Sequence, residues 1–165
     1  MVDLTLKKQY IFTLFFVLSG YTQPVTSGTA INTELEHNQP RPGIVLEEFV
    51  FTEAPFPSCH ASTILELETG ELLCAFFGGT KESHPDVETR LSHKPVGGKW
   101  TPPVSVADGV QSENERLATG NPILFQPAGC DIMLFYKVFR PGVPWWGEMK
   151  TSSDGGRTWS KAQRI

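Results

Sequence analysis

The chain has 165 residues and a net charge of −4, from 14 lysines and arginines against 18 aspartates and glutamates. This length suits about one domain, and without a block of basic residues the charge excludes nucleic acid from the expected partners. The 15 glycines, 13 prolines, 11 phenylalanines and 4 tryptophans are typical of a turn-rich β protein.

Residues 1–30 have the order of a secretory signal and leader. Two lysines precede an apolar run from Tyr10 to Leu18, and small and polar residues follow up to Ala30, as in secretory signals. The run is too short to cross a bilayer as a helix. We therefore expect a secreted protein without a stable membrane anchor after the signal is cleaved. A buried N-terminal helix is the alternative.

A polar linker with two prolines is predicted at residues 31–43, and a folded domain at residues 44–165. The domain opens with a predicted strand at residues 44–52. A first four-stranded unit follows at about residues 58–107. Its predicted strands are 62–67, 71–77, 86–92 and 99–106. The second of these is almost wholly apolar, which fits a strand covered on both faces, and two prolines mark the fourth as an edge strand.

The three cysteines are Cys59, Cys74 and Cys130, and an odd number leaves at least one thiol unpaired in an exported chain. A two-residue turn at residues 69–70 would place Cys74 opposite Leu65 and too far from Cys59 for a disulfide. We predict that all three are unpaired, small and mostly buried. No histidines and cysteines have the spacing of zinc ligands, and neither metal nor cofactor is predicted.

A second unit with the same layout is predicted at about residues 117–165. Its strands are predicted at 122–126, 131–139, 146–152 and 159–165. Trp159 follows Trp100 by 59 residues, and Ile123 follows Ile64 by the same 59 residues. Four-stranded repeats of this size predict an all-β fold, a partial β-propeller, and we call the units blade one and blade two. WD40 and kelch blades are the alternatives, but Gly-His and Trp-Asp pairs are missing. Propellers close with roughly four to eight blades, so we expect the N-terminal part of a larger ring.

Residues 152–159, which we call the octet, predict a tight hairpin turn. Gly155 and Gly156 accept positive φ, and Asp154 can bond nearby amides. The order Ser-x-Asp-x-Gly-x-Thr-Trp, set by residues Ser152, Asp154, Gly156, Thr158 and Trp159, resembles the Asp-box of sialidase (neuraminidase)-like propellers with BNR repeats. The resemblance implies a structural turn on the face away from the active site. A chance hairpin is the alternative.

The likeness to secreted sialidase-like proteins extends over about residues 50–165. It is carried by the run from Pro57 to Thr63, by Phe77-Gly78-Gly79 and by Trp145-Trp146-Gly147. The resemblance implies a six-bladed propeller that hydrolyses glycosides, with Asp86, or second Glu82, as the acid/base. It also implies a tyrosine nucleophile from a late blade, beyond this chain. One departure is clear: sialidases carry an arginine in a Phe-Arg-Ile-Pro run, and Ser58-Cys59-His60-Ala61 has none.

Propeller sites usually line the mouth of the central channel, where inner strands begin and the loops between second and third strands lie. Cations, carboxylates and aromatic rings placed there suit an anionic sugar. The predicted substrate-binding residues are His60, Lys81, Asn121, Lys137, Arg140 and Trp146. For several candidates a structural role is the alternative: Asp86 as a loop cap, Glu82 as a solvated charge, His60 as a half-buried histidine, Lys137 as a strand end, and Trp146 as packing between blades.

Three functions remain open from the sequence. The first is an exported sialidase-like glycoside hydrolase that acts on acidic glycans, with this chain expected to be an inactive fragment on its own. The second is a non-catalytic carbohydrate-binding propeller. The third is a propeller polysaccharide lyase. The missing arginine weakens the first against the other two, because lysine and histidine cannot clamp a carboxylate with a planar fork.

Overall fold

Ten strands and no helix make up the regular structure in the computed structural model, which describes residue 43 and residues 46–165. Blade one contains β1 (Ser58–Glu66), β2 (Leu72–Gly79), β3 (Glu88–Lys94) and β4 (Val104–Ala107). A short hairpin follows, β5 (Val110–Ser112) and β6 (Glu115–Arg116). Blade two contains β7 (Ala118–Phe125), β8 (Ile132–Phe139), β9 (Trp146–Ser152) and β10 (Gln163–Arg164). In each blade the four strands are antiparallel neighbours in chain order. The predicted fold class, an all-β partial propeller, is confirmed.

The predicted signal and leader at residues 1–30 lie outside the described residues, as does nearly all of the linker, so these domain bounds stay predictions. Within the described part, residues 50–165 form one compact unit. No helix long and apolar enough to cross a membrane is found among the residues that the structure describes.

Most predicted strands are present with shifted ends, and β9 has the predicted bounds. Two predictions are wrong. The strand predicted at residues 44–52 is not formed over residues 46–52, and the one predicted at 159–165 is formed only at Gln163–Arg164. In the second case the Thr151 amide donates to the side-chain hydroxyl of Ser160 at 3.0 Å. A side chain therefore takes the place of a backbone carbonyl in the ladder next to β9. The β5–β6 hairpin was not predicted.

The turn between β1 and β2 has three residues, 68–70, rather than the predicted two. Gly70 there has a φ of 80°, the left-handed conformation that glycine adopts readily and that closes a three-residue hairpin loop. The extra residue shifts the pairing by one position. Cys74 therefore pairs with Ile64 and not, as predicted, with Leu65.

All three cysteines are unpaired, as predicted. Cys74 is buried, but Cys59 and Cys130 are exposed, so the prediction that they are mostly buried is wrong. Burial in blade one raises the pKa of the Cys74 thiol to about 12. Because the thiolate is the reactive form, Cys74 serves as a small core residue.

The two blades share a backbone irregularity at the same place in their inner strands, β1 and β7. The pairing of β1 with β2 shifts between His60 and Thr63, and that of β7 with β8 shifts between Gly120 and Ile123. A residue with positive φ sits inside each bulge: Ala61 with a φ of 49° and Asn121 with a φ of 47°. Both inner strands therefore bend at the same point of their blade, as β-bulges make them do.

The main core lies between the blades. Leu73 and Leu91 of blade one pack in it against Leu124, Leu134 and Tyr136 of blade two. Alternate residues of each strand point to opposite faces of a sheet. Blade one therefore uses one face, and blade two the opposite face, to form this core.

The two repeat tryptophans occupy equivalent places. Trp159 packs on the core that contains Leu134, whereas Trp100 packs on the cluster that contains Cys74. Leu134 follows Cys74 by 60 residues, as Asn121 follows Ala61. Cys74 and Leu134 therefore lie on equivalent faces of blade one and blade two. The predicted repeat of two four-stranded units is thus confirmed, but the predicted equivalence of Ile64 and Ile123 is wrong. The inner strands repeat at an interval one residue longer, so Leu124 is the equivalent of Ile64.

Residues 50–56 cover the outer face of blade one instead of adding a strand to a sheet. Phe51 packs its ring on Phe56 and Phe76, with ring centroids 6.0 and 5.2 Å away. The Arg90 guanidinium lies 4.7 Å from the centre of the Phe56 ring. Aromatic burial gained in this way explains why the segment packs flat on the sheet.

Candidate functional site

The candidate residues gather at one end of the blades, which we call the mouth end. Strands β1 and β7 begin there, at Ser58 and Ala118, and β2 and β8 finish there, at Gly79 and Phe139. The octet begins at Ser152, the last residue of β9, and therefore lies at the opposite end. The site and the octet are separated by the length of a strand, as the sequence resemblance implies.

Asp86 fastens the loop that follows β2. Its carboxylate accepts hydrogen bonds from the amide and the hydroxyl of Thr80, at 3.1 and 2.5 Å, and lies 2.8 Å from the Nδ1 atom of His84. A Cβ atom on Gly79 would come within 2.7 Å of this carboxylate, so only glycine lets the loop close so tightly. The Thr80 hydroxyl above all, and also the Thr80 amide and His84, lower the pKa of Asp86 to about 2. Asp86 is therefore ionised at neutral pH.

The tip of the same loop carries Lys81 and Glu82, and both are exposed. The amide of His84 donates to the carbonyl of Lys81 at 3.1 Å, and Ser83 has a φ of 70°. The backbone thus turns tightly enough to project both charged side chains into solvent. Within the described part of the chain, the Glu82 carboxylate makes no hydrogen bond or ion pair.

His60 lies on β1 at the bulge, with an exposed side chain. Its ring centroid is 5.6 Å from that of Phe77, and its Nε2 atom is 3.2 Å from the Ser58 hydroxyl oxygen. Phe77 also approaches blade two, because a Cβ atom on Gly120 would lie 4.0 Å from its ring. His60 and the bulge of β7 therefore meet across the blade boundary through Phe77.

Blade two adds a cation and an aromatic ring. Lys137 pairs with Gly120, the residue before Asn121. Its ammonium lies 5.2 Å from the centre of the Trp145 ring, which stacks on Phe139 at 4.7 Å. Trp145 is 52% exposed. The sequence singled out Trp146, but its neighbour is the tryptophan that solvent reaches.

Trp146 belongs to the boundary between the blades. Its indole nitrogen donates to Glu148 at 3.1 Å, and the Arg164 guanidinium lies 4.5 Å over its ring. The ring also packs against the main core. These contacts correspond to the packing role that was the alternative for Trp146.

Glu148 is a buried carboxylate that sequence reasoning missed. It is 5% exposed. The Tyr136 hydroxyl donates to it at 2.7 Å, and Gln111 and Trp146 each donate at 3.1 Å. Burial, and then the bond to Glu148, raise the pKa of Tyr136 far above its usual range. The alternation of side chains along β9 could have indicated Glu148, since Trp146, Glu148 and Lys150 lie on one face of that strand.

Ion pairs attach the β5–β6 hairpin to both blades at the mouth end. Arg140, one of the predicted substrate-binding residues, lies 3.0 Å from Glu115. Arg116 contacts Glu88, which also pairs with Arg90 at 2.9 Å. Arg140 is thus partly neutralised in this structure, and Lys137 is the more available cation. Among the described residues no cluster of histidines, cysteines and carboxylates has the geometry of a metal site.

Comparison with known proteins connects this geometry to a family. A family described as BNR repeat-like domain matches residues 70–165. A solved structure of a protein of unknown function from Dyadobacter fermentans DSM 18053 is similar with a TM-score of 0.50 and 18% identity. The match covers 64% of this chain and 35% of that one, so the chain spans about a third of that relative. At this identity the likeness concerns the fold alone. None of the curated proteins compared with the chain matches it.

Proposed function

Because the chain belongs to the BNR repeat-like domain family, we propose that it is part of an exported, sialidase-like protein that takes an acidic glycan at its mouth end. Export rests on the signal-like order of residues 1–30. The octet, with the Asp-box residues Ser152, Asp154, Gly156, Thr158 and Trp159, supports the sialidase-like assignment. The proposal concerns the activity and the substrate of the complete propeller, of which this chain forms a part.

Two cations at the mouth end carry the choice of ligand, His60 of blade one beside Phe77 and Lys137 of blade two beside Trp145. Lys137 supplies a positive charge for the carboxylate of an acidic sugar, and His60 adds a second when it is protonated. The exposed Trp145 ring offers an apolar surface on which a pyranose ring can lie. Asn121, held in the left-handed conformation, adds an amide that can donate and accept hydrogen bonds.

Glycoside hydrolysis is the reaction we propose for the sialidase-like protein. It requires a carboxyl group that protonates the leaving oxygen. Asp86 is already committed to Thr80 and has its pKa lowered to about 2, so we assign it to holding the loop. Glu82, exposed at the tip of that loop, is the carboxyl that we propose as the acid. Non-catalytic glycan binding is the second candidate, and the ionised state of Asp86 favours it.

A calorimetric titration tests the ligand. We expect sialyllactose to bind and lactose to bind roughly tenfold more weakly or not at all, because only the first carries a carboxylate. Lys137→Gln should remove most of that preference. Lys161→Gln removes another exposed charge, at the octet end, and should leave binding unchanged. Equal affinity for both sugars, or equal losses in both variants, would contradict the proposal.

Measurement of free sialic acid released from sialyllactose by the complete propeller separates the two candidates, because the resemblance implies a nucleophile from a late blade. In a hydrolase, Glu82→Gln abolishes turnover, whereas Asp86→Asn keeps most of it as long as the loop stays folded. A binding protein releases no sialic acid even as the complete propeller, although it retains the sugar. Loss of turnover in Asp86→Asn alone, with normal sugar affinity, would reassign the acid to Asp86.

A further inference from the structure

The proposed sugar site is divided between two blades at the mouth end. His60 and Glu82 belong to blade one, and Asn121 and Lys137 belong to blade two. A misplacement of about 1 Å can cost roughly a hundredfold in the rate of a reaction, so the two halves have to hold a fixed position relative to each other. The contacts that cross the blade boundary at the mouth end therefore decide the geometry of the site.

Thr119, the second residue of β7, makes a buried polar contact across this boundary. Its amide and its hydroxyl both donate to the carbonyl of Val87, at 3.1 and 3.3 Å. The hydroxyl of Thr89, on β3, donates to the hydroxyl of Thr119 at 3.1 Å. Thr89 and Thr119 are 0% exposed, and Val87 is 1% exposed. Hydrogen bonds are strengthened by the low dielectric of such a place, and a group that loses its partner there is costly.

Val87 ends the loop that carries Glu82, residues 80–87, which we call the mouth loop. The amide of Val87 donates to the carbonyl of His84 at 2.9 Å, and the amide of His84 donates to the carbonyl of Lys81 at 3.1 Å. These two backbone bonds connect the end of the mouth loop with its tip. The position of the Glu82 backbone therefore follows the position of Val87.

On blade two, Thr119 lies next to the residues proposed to hold the sugar. Asn121 follows it by two residues, within the bulge of β7. Thr119 also pairs with Val138, which is the residue after Lys137 on β8. One buried side chain thus connects the mouth loop of blade one with the two strands of blade two that carry the sugar-binding residues.

We propose that Thr119 is a positioning residue, which fixes the mouth loop against blade two and so sets the distance between the Glu82 carboxyl and a sugar held by blade two. The presence of that sugar rests on the proposed function, whereas the contact itself does not. The hydroxyl is the decisive part of Thr119, because valine has almost the same shape and keeps the amide bond. Thr119→Val leaves the Thr89 hydroxyl without its acceptor and the Val87 carbonyl with one donor fewer.

Amide hydrogen exchange in this chain tests the contact without any sugar. In Thr119→Val, the amides of His84 and Val87 should exchange roughly tenfold faster than in the parent chain, because the mouth loop has lost its fixed end. Thr119→Ser keeps a hydroxyl and should stay close to the parent rates. Thr63→Val is the matched control, since the Thr63 hydroxyl accepts from the Leu124 amide at 3.5 Å and joins the blades in the middle of β1. In that control both amides should keep the parent rates.

The amide of Gly156 separates local loosening from a general loss of stability. It donates to the Ser152 hydroxyl at 2.9 Å at the octet end, and its exchange should not change in Thr119→Val. Unchanged exchange in the mouth loop of this variant would overturn the proposal. So would an equal acceleration at Gly156, or a Thr119→Ser variant whose mouth loop exchanges as fast as that of the valine variant.

Turnover of sialyllactose by the complete propeller tests the consequence for the site. Thr119→Val should lower kcat roughly tenfold and change KM less than about twofold, because the side chains that bind the sugar are unaltered. Thr119→Ser should restore kcat, and the same loss of kcat in Thr63→Val would overturn the proposal. If the parent shows no turnover, the proposed hydrolysis fails, whereas the exchange rates alone decide on Thr119.

Discussion

Asp154 organises the octet through one carboxylate. It accepts from the Ser152 and Thr158 hydroxyls at 2.8 and 2.6 Å, and from the amides of Arg157 and Thr158 at 3.0 and 2.9 Å. The bonds from Thr158 above all lower the pKa of Asp154. The Trp159 indole donates to the carbonyl of Gly156 at 3.1 Å, so the ring packs back on the turn. The sequence predicted the bonds between Asp154 and nearby amides, because aspartate in a turn commonly accepts from backbone amides a few residues on.

Gly156 tests how tightly the octet of blade two docks on blade one. It has a φ of 86°, and a Cβ atom there would lie 3.1 Å from Leu73 and 3.4 Å from Leu91. We expect Gly156→Ala to lower the free energy of unfolding by about 2–3 kcal/mol, from backbone strain and displaced core atoms. Gly142→Ala is the control, since its φ is 78° and nothing lies within 4 Å. Gly142→Ala should lower the free energy of unfolding by only about 1 kcal/mol. Equal losses for the two variants in urea unfolding would contradict close packing of Gly156 on blade one.

Asp86 predicts a pH dependence. Its pKa is lowered from 3.8 to about 2 in the folded chain, so its contribution to stability is complete above pH 4 and is lost as the pH falls towards 2. The side chain is 38% exposed, and we therefore expect less than about 1 kcal/mol. Asp86→Asn should flatten the decline in unfolding free energy between pH 4 and 2, measured in urea at each pH. An unchanged decline would show that Asp86 is not fastened by Thr80.

At the scale of elements, the β9 strand joins the blades through its polar face. Glu148 gathers Tyr136, Gln111 and Trp146, and the Lys150 ammonium donates to the Val106 carbonyl at 2.6 Å. Burial lowers the pKa of Lys150. Each polar group of this network has a partner, which is what makes such a network tolerable in a core.

Loss of the Glu148 carboxylate should be costly. Glu148→Ala leaves three donors without their acceptor, and we expect the free energy of unfolding to fall by about 2–4 kcal/mol. Glu148→Gln keeps one acceptor oxygen and should cost less. Tyr136→Phe in the Glu148→Ala background should recover part of the loss, because it removes one stranded hydroxyl. Additive losses in a double-mutant cycle from urea unfolding would contradict the network.

The positions of strands were predictable where the pattern was strong, as at β9, but their register was not. A single residue more in the turn at 68–70 changed the β1 partner of Cys74 from Leu65 to Ile64. The bulges at Ala61 and Asn121 left no sequence signal, since neither position carries glycine. Nor does sequence reveal which of Trp145 and Trp146 faces solvent, because that depends on where β9 begins.

For the whole molecule, the interval between the two tryptophans located the two blades, whereas the isoleucine pair at the same interval falls on opposite faces of the blades. The structure adds that the bulges of the inner strands repeat as well, with the tryptophans on equivalent faces. The candidate residues of the two blades meet through Phe77, a contact that could not be predicted because it joins β2 to β7 across the blade boundary. The Arg140–Glu115 pair was equally hidden, since it depends on a hairpin that the pattern did not predict.

The most direct test of a glycan site at the mouth end is a titration of the isotope-labelled chain with sialyllactose, followed by nuclear magnetic resonance. We predict that the amide signals of His60, Asn121 and Lys137 and the indole signal of Trp145 shift together and saturate, while Gly156 and Thr158 at the octet end do not move. No shift at the mouth end, or shifts confined to the octet end, would contradict the account.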